Sequence, residues 1–327
     1  MSDKTFRLVT RSDFDGLVCA VLLKEQGLIR DILFVHPKDM QDGKIAITEN
    51  DITTNLPYVA TAHLAFDHHL SETIRNTDKQ KNHIILADAP SAARVVYDYY
   101  GGKTAFPTIS EEMMLAVDQA DSAQYSLDDI LHPEKWTLLN YLMDARTGLG
   151  RFREFRISNY QLMMMLIDCC RTMSIEQILE LPDVKERREL YATHRTLAEN
   201  QIRKCSTTHA KTVVLDLREE ETIYAANRFL IYALYPQCTL SIHRLWGLKR
   251  QNSVLAIGKS ILDRSSAVNV GEICLKYGGG GHHAAGTCQI ENGWADITLD
   301  AVLAQIAAQE EQATAQKLVV ACTVSPA

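Results

Sequence analysis

Residues 6–28 read FRLVTRSDFDGLVCAVLLKEQGL, and this stretch decides the fold. The apolar run from Phe6 to Thr10 predicts a β-strand, and the polar turn RSDFDG at 11–16 follows it. The apolar run from Leu17 to Leu28 then predicts a helix. A strand, a short turn and a helix in this order are typical of a parallel sheet that helices cover on both faces. The segment therefore indicates an α/β fold.

The same alternation continues along the first half of the chain. Apolar stretches occur at 32–36, 43–48, 63–66 and 83–88, and a predicted helix from Ala92 ends at the glycine pair 101–102. Residues 111–182 carry apolar side chains at a spacing of three to four, which predicts helices. We expect a mostly parallel sheet flanked by helices.

The length of 327 residues argues for two domains. Residues 183–205 are densely charged and contain no Pro or Gly, which predicts an exposed linker helix between a first domain, 1–182, and a second, 206–327. The second domain is predicted to be a smaller α/β unit. Its strand-like and helical stretches are 212–217, 227–235, 238–246, 253–261 and 301–317.

Composition limits the classes of function. Lys and Arg total 34 against 41 Asp and Glu, a net charge of −7, so there is no general positive field to hold long duplex nucleic acid. No window is apolar enough to span a bilayer, and the N-terminus does not resemble a signal peptide. Eight cysteines without a C-x-x-C pair fit reduced thiols. These features predict a cytoplasmic protein that acts on small ligands and not at a membrane.

Two acidic clusters follow predicted strands. Asp13 and Asp15 flank Phe14 in the first turn, and Asp67, His68 and His69 follow the apolar stretch 63–66. Carboxylates and imidazoles at the end of a parallel strand can converge on a metal ion. The alternative is that both clusters cap helices. Asp51, Asp118 and Asp121 are further carboxylates at candidate element ends.

A glycine-rich segment near the C-terminus is suited to binding phosphate and not a metal ion. Gly278, Gly279, Gly280 and Gly281 precede His282 and His283 in the string GGGGHHAAG. Consecutive glycines expose backbone N–H groups, which suits an anionic phosphate, and a helix is expected to begin against the ligand. A flexible linker is the alternative.

The motifs DFDG, DHH and GGGGHHAAG, in this order, resemble the DHH phosphoesterase superfamily with its DHH-associated C-terminal domain. The resemblance spans nearly the whole chain, one motif set falling in each predicted domain. Members hydrolyse single-stranded nucleic acid, short oligonucleotides, cyclic dinucleotides or inorganic polyphosphate. The layout is most similar to small cytosolic members described as exopolyphosphatase-related.

The resemblance implies a role for each matched residue. Asp13 is implied as a ligand of a first Mn²⁺, and Asp15, His68 and Asp121 as ligands of a second, with Asp51 bridging the two ions. It further implies that His69 faces the substrate phosphate and that Asp67 orients the histidines. His282, His283 and the glycines 278–281 would clamp a phosphate, together with Arg264.

One position departs from the family pattern. Members of the family carry a histidine two or four residues before the first Asp of the opening motif, and this chain has Arg11 and Val9 at those positions. An arginine cannot ligate a cation but can donate to a carboxylate or a phosphate oxygen. We therefore expect one firmly bound Mn²⁺ and a weak or absent second ion, with Mg²⁺ or Co²⁺ as substitutes. The alternative is that Arg11 points to solvent.

The sequence thus predicts metal-dependent hydrolysis of a phosphoester or phosphodiester bond in a small nucleotide: a cyclic mononucleotide, a dinucleotide or a short oligoribonucleotide. Hydrolysis of inorganic polyphosphate and nucleotide sensing without catalysis are the two alternatives. The chain is also expected to pair into a homodimer.

Overall fold

The computed structural model of the chain describes residues 4–69, 80–152 and 154–323. The chain forms two compact units, Met1–Thr193 and His194–Ala327. The α/β class predicted from the sequence is confirmed, since each unit combines a sheet with helices.

The first unit contains a five-stranded sheet in which all described pairings are parallel. Its strand order is β2-β1-β3-β4-β5. The strands are β1 (Phe6–Arg11), β2 (Ile29–Val35), β3 (Asp51–Thr54), β4 (Leu64–Asp67) and β5 (His83–Ile85). Because parallel strands end at a common edge, the residues that follow β1, β3 and β4 lie together.

Helices cover this sheet. They are α1 (Phe14–Glu25), α2 (Pro37–Gln41), α3 (Ala92–Tyr99), α4 (Glu111–Asp121), α5 (Leu127–Leu131), α6 (Lys135–Met143), α7 (Asn159–Thr172) and α8 (Ile175–Leu179). Short 3₁₀ turns occur at Gly102–Thr104, Ala145–Thr147 and Leu149–Arg151. Among the described residues, no helix is long and apolar enough to cross a membrane.

Helix α1 is the centre of the first unit. All its residues from Phe14 to Leu23 are buried, which explains why its sequence is apolar on every side. Asp13 caps the helix by accepting a hydrogen bond from the Gly16 backbone N–H. Helices α3, α4 and α7 pack against α1, so its first turn is held rigidly at the edge of the sheet.

Strand β3 differs from the expectation. The apolar stretch 43–48 is not a strand, and the sheet instead uses Asp51–Thr54, whose four residues are all buried. The threonines satisfy their hydroxyls inside the sheet: Thr54 donates to the Thr10 hydroxyl at 2.7 Å, and Thr10 donates to the Thr54 carbonyl at 3.2 Å. A central strand buried on both faces shows no alternation to detect.

The second unit contains a six-stranded sheet of order β10-β11-β9-β8-β7-β6. Within it, only β7 and β8 pair in parallel among the described strands. The strands are β6 (Ser206–His209), β7 (Thr212–Asp216), β8 (Leu240–Trp246), β9 (Ser253–Lys259), β10 (Gly280–His282) and β11 (Ala285–Ile290). Its helices are α10 (Leu230–Leu234), α11 (Val270–Lys276) and α12 (Ala295–Thr323), with 3₁₀ turns at Leu248–Arg250 and Asn292–Trp294.

The charged tract predicted as a helix over 183–205 forms α9 (Pro182–Cys205). The division between the two units falls within this helix, between Thr193 and His194. Its role as a linker, and the domain limits 182 and 206, stay predictions.

Gly16 should not tolerate a side chain. A Cβ atom at this position would lie 2.0 Å from the Arg11 carbonyl oxygen, so the turn between β1 and α1 would have to open. We expect Gly16→Ala to lower the free energy of unfolding by about 2–3 kcal/mol, as overpacking does. Gly150→Ala is the matched control, because nothing lies within 4 Å of its added Cβ. Equal denaturant midpoints for the two variants would contradict this prediction.

Candidate active site

Three metal-binding side chains meet at the carboxyl edge of the first sheet. Asp15 lies in the first turn of α1, His68 follows β4, and Asp121 is the last residue of α4. One ligand atom from each lies within 4.8 Å of the others. We call this set the three-ligand group. Two carboxylates and an imidazole are ligands that Mn²⁺ accepts.

The imidazole of His68 is oriented for ligation. Its Nδ1 atom lies 3.1 Å from the Ala89 carbonyl oxygen, which can only accept, so Nδ1 carries the hydrogen and Nε2 faces the carboxylates. Nε2 lies 2.8 Å from Oδ2 of Asp121 but, among the described residues, makes no hydrogen bond of good geometry. A buried ring nitrogen that faces carboxylates without accepting or donating a hydrogen bond fits a metal ligand.

The charges at this point favour a cation. Burial and the neighbouring Asp121 carboxylate raise the pKa of Asp15 well above its usual range. Burial alone lowers the pKa of His68, but the carboxylates of Asp121 and Asp15 outweigh it and raise that pKa to about 9. Two carboxylates held this close need a positive charge between them.

The start of helix α3 holds Asp15 in place. Its two carboxylate oxygens accept hydrogen bonds from the backbone N–H groups of Ala92, at 3.0 Å, and Ala93, at 2.7 Å. Asp15 is 2% exposed, so these bonds replace the water that the carboxylate loses. Sequence reasoning missed this contact, because it joins residues 77 positions apart.

Ser91 and Asp118 fix the start of α3 in turn. The Ser91 hydroxyl accepts from the Arg94 backbone N–H and donates to Asp118 at 2.7 Å. Asp118 also accepts from Arg94 Nε at 2.9 Å. The sequence marked Asp118 only as a carboxylate at an element end. In the structure it supports the start of α3, whose N–H groups donate to Asp15.

Asp67 and His69 form a hydrogen-bonded pair beside the three-ligand group. Oδ1 of Asp67 accepts from His69 Nδ1 at 2.7 Å and from the His68 backbone N–H at 2.9 Å. Asp67 is 1% exposed. The carboxylate thus fixes the ring of His69 and the backbone between the two histidines. Residues 70–79, which follow, lie outside the described part of the chain.

Asp13 is not part of the three-ligand group. Its carboxylate accepts from the Gly16 backbone N–H at 3.0 Å and from Asn55 Nδ2 at 3.3 Å, and it pairs with Arg11 Nε at 3.0 Å. Burial raises the pKa of Asp13, and Arg11 opposes that rise. Arg11 therefore contacts the carboxylate instead of pointing away from it. Donors from the protein surround the oxygens that the resemblance assigned to a first Mn²⁺.

The prediction that Asp51 bridges two metal ions is wrong. Asp51 begins β3 and lies beside Arg7 in the sheet, at the edge opposite the three-ligand group. Its Oδ1 pairs with Arg7 Nε at 2.6 Å, and its Oδ2 accepts from the Thr48 backbone N–H at 2.7 Å. The error follows from the missed strand, because Asp51 was expected to follow a strand that it in fact begins.

Asn55 occupies the position expected for the bridging residue. It follows β3 directly, has a positive φ of 54° and is 1% exposed. Its amide nitrogen donates to Asp13, while its Oδ1 is buried and has no hydrogen-bond partner among the described residues. Identifying β3 would have revealed this residue in the sequence.

Arg146 is a further basic group that the sequence did not reveal. It lies in the 3₁₀ turn Ala145–Thr147, where Asp144 accepts from its Nε at 2.8 Å. Its positive charge lowers the pKa of Asp13, and it interacts electrostatically with Asp121. Nearly half of the side chain is exposed, so the guanidinium is accessible to an anion.

In the second unit, the glycine-rich segment forms a hairpin of β10 and β11, and the helix expected after it is absent. Added Cβ atoms at Gly279 and Gly281 would lie 2.1 and 2.3 Å from carbonyl oxygens of β11. These two glycines are therefore required for strand packing. At Gly280 nothing lies within 4 Å, while Gly278 has a positive φ of 74°.

Polar side chains gather beside this hairpin. His282 and His283 are exposed, and Lys259 Nζ contacts His283 Nδ1 at 3.2 Å and donates to the Ser266 carbonyl at 2.9 Å. Arg264 is exposed and its Nε donates to the Ile261 carbonyl at 3.3 Å. Lys259 was not predicted, because a lone lysine at the end of a strand carries no pattern.

The hydrogen bonds of Asp118 to Ser91 and Arg94 predict that a substitution at Asp118 lowers the affinity for metal. Asp118→Asn keeps the shape but weakens the bond to Arg94, so the N–H groups that hold Asp15 should lose their alignment. Losses of about tenfold in metal affinity are usual for such supporting contacts. Titration calorimetry with Mn²⁺ measures the effect, and Asp98→Asn, on the exposed side of α3, is the matched control. Unchanged affinity in Asp118→Asn would refute the supporting role.

Comparisons with known proteins identify the family of the chain. No family model and no curated protein matches the chain. Among solved structures, the pGpG-specific phosphodiesterase PggH from Vibrio cholerae is 62% identical, with a TM-score of 0.82 over 93% of this chain and 100% of that chain. RecJ with Mn²⁺ from Thermus thermophilus is 15% identical, with a TM-score of 0.52 over 93% of this chain and 52% of that one, a likeness of fold alone. With the motifs DFDG and DHH brought to one sheet edge and 62% identity over nearly its whole length, the chain belongs to the DHH phosphoesterase superfamily.

Proposed function

We propose that the chain is a Mn²⁺-dependent phosphodiesterase that hydrolyses pGpG. Water adds to the phosphorus of the internucleotide diester, the bond from phosphorus to O3′ breaks, and O3′ takes a proton, which yields two GMP molecules. The observation that carries the proposal is the 62% identity to a pGpG-specific phosphodiesterase over 93% of the chain. The three-ligand group supports it with a site suited to phosphate chemistry.

Asp15, His68 and Asp121 would hold the ion. A divalent cation, when bound there, supplies positive charge for the phosphate oxygens and makes water a better nucleophile at neutral pH. The donor set does not separate Mn²⁺ from Mg²⁺ or Co²⁺ by chemistry alone, and we propose Mn²⁺ because the imidazole is a better ligand for it than for Mg²⁺.

Side chains around the group would handle the phosphate and the proton. His69, held by Asp67 at 2.7 Å, can donate a hydrogen bond to a phosphate oxygen or pass a proton to the departing O3′. Arg146 carries a permanent charge beside Asp13 and Asp121. Asp144 engages its Nε and Nη2 atoms, so Nη1 is the atom proposed to donate to a phosphate oxygen. Both residues act on the substrate without ligating the ion.

Arg11 would take the place of a second ion. Its guanidinium neutralises Asp13 at 3.0 Å, and Asn55 presents an uncharged amide where the resemblance implied a bridging carboxylate. Removing one imidazole and one carboxylate from a second metal position leaves too few ligands for firm binding. We therefore propose one tightly bound ion per chain.

The second unit would bind a phosphate of the substrate. His282, His283, Arg264 and the glycines 278–281 remain the predicted residues, and Lys259 joins them because its ammonium group contacts His283. Of the two glycines in β10, Gly280 and Gly281, only Gly280 has open space around its Cβ position, which favours close approach of a ligand at that point. A homodimer and a cytoplasmic location likewise stay predictions.

Short substrates are favoured over inorganic polyphosphate. A long polyanion gains affinity from a track of cations, and the chain carries a net charge of −7. The cations beside the three-ligand group, Arg11 and Arg146, are paired with Asp13 and Asp144. The complete three-ligand group also argues against a sensor without catalysis.

A substrate panel tests the proposal. With Mn²⁺, we expect pGpG to be hydrolysed to GMP with a higher kcat/KM than longer oligoribonucleotides, cyclic mononucleotides or polyphosphate. Activity should vanish on treatment with EDTA and return with Mn²⁺. His68→Gln should reduce turnover to the metal-free level, whereas His63→Gln, an exposed imidazole stacked on Phe6, should not. Hydrolysis that improves steadily with chain length would reject the proposal.

Metal content tests the one-ion arrangement. Calorimetric titration of the wild-type chain should give one tight Mn²⁺ per chain. Arg11→His combined with Asn55→Asp restores an imidazole and a carboxylate beside Asp13, so this variant should bind a second ion. Arg30→His, an exposed change on β2, is the control for an added imidazole. Two equally tight ions in the wild-type chain would refute the arrangement.

A further inference from the structure

A cavity of about 400 Å³ lies in the first unit, apart from the three-ligand group. Its walls include the half-buried rings of Phe152 and Phe155, the buried side chain of Leu149 and the guanidinium of Arg187. The volume falls in the range of small-molecule sites, and the combination of apolar walls with a few polar groups is typical of them. Nothing in the proposed chemistry uses these residues.

Arg187 makes one wall of the cavity rigid. Its guanidinium lies 4.2 Å from the centre of the Phe155 ring and donates to the Ile157 and Asp183 carbonyls, both at 2.6 Å. The residue is 2% exposed. These bonds fasten the segment around Phe155 to helix α9, so the aromatic wall is formed in advance of any ligand.

The same contacts exclude a phosphate as the ligand. The Nη atoms of Arg187 are engaged by carbonyls and by Glu186, which lies 3.0 Å from Nη1. A charge neutralised in this way offers little to a second anion. The cavity therefore suits a flat, uncharged ring that stacks on phenylalanine.

The chain itself connects the cavity to the catalytic edge. Arg146, whose charge acts on Asp13 and Asp121, lies only three residues before Leu149. Three residues span at most about 11 Å even when fully extended. The cavity wall thus begins within reach of a nucleotide whose phosphate lies at the three-ligand group.

Asn159 adds a polar group to the cavity. Its amide nitrogen donates to the Met143 carbonyl at 3.3 Å, which leaves the carboxamide oxygen as an acceptor. Guanine carries N–H donors on its edge, including the exocyclic amine. We propose that this cavity binds one guanine base of the dinucleotide by stacking on Phe152 and Phe155. The inference rests on the proposed function, since it names a subsite for that substrate.

Kinetics with matched variants test the subsite. Phe155→Leu keeps apolar bulk but removes the ring face, and Phe152→Leu does the same on the other ring. We expect either change to raise KM for pGpG by about tenfold, as loss of one base stack does, with a smaller change in kcat. Tyr160→Leu is the control: this half-exposed ring packs edge-on against Phe34 and does not line the cavity. Unchanged KM in both phenylalanine variants would overturn the inference.

A second experiment uses only the wild-type chain, so its result does not depend on whether a variant folds. Hydrogen–deuterium exchange on the wild-type chain with Mn²⁺ compares GMP with ribose 5-phosphate, which has the same phosphate but no base. GMP should protect peptides covering 149–159, and ribose 5-phosphate should not. Equal protection by both, or none by GMP at saturation, would overturn the subsite. If the wild-type chain does not hydrolyse pGpG at all, the proposed function fails, whereas hydrolysis without protection of 149–159 removes only the subsite.

Discussion

The buried carboxylate of Asp15 is the constraint on which the rest of the first unit depends. It has lost nearly all contact with water, and the N–H groups of Ala92 and Ala93 compensate for that loss. The bond joins the first turn of α1 to the first turn of α3, two helices far apart in sequence. Strands β1 and β4 belong to one parallel sheet, so their carboxyl ends share an edge. The Asp15 bond fixes the first turn of α1 at that edge, where Asp15 lies beside His68 and Asp121.

Charge at this edge is balanced by three different means. The positive end of helix α3 faces Asp15, an imidazole faces Asp121, and a guanidinium faces Asp13. In a chain with an excess of acidic residues, this concentration of carboxylates would otherwise repel a phosphate. The balance therefore has to be local, and it leaves the group formed by Asp15, His68 and Asp121 as the place where one more cation is needed.

Much of this could be predicted from the sequence, and the failures have a common origin. The strand and turn at 6–16 and the DHH triplet are local patterns, so the α/β class and the superfamily followed from them. Strand β3 has no such pattern, since two of its four residues are threonines buried on a central strand. That single omission moved the expected bridging residue from the end of the strand to its start, at Asp51, and hid Asn55. The contacts of Ala92, Ser91 and Arg146 join distant segments, which no local pattern records.

The pair of Arg11 and Asp13 has a consequence for how the enzyme would respond to metal supply. A guanidinium is covalently part of the chain and keeps its charge at every physiological pH, whereas an ion must be drawn from the cell and can be lost. If one exchangeable ion completes the site, the active fraction under scarcity falls in proportion to the free metal concentration. A site that needed two such ions would lose activity with the square of that concentration. If Arg11 takes the place of a second ion, as proposed, this positive charge encoded in the sequence would halve the steepness of the dependence on manganese.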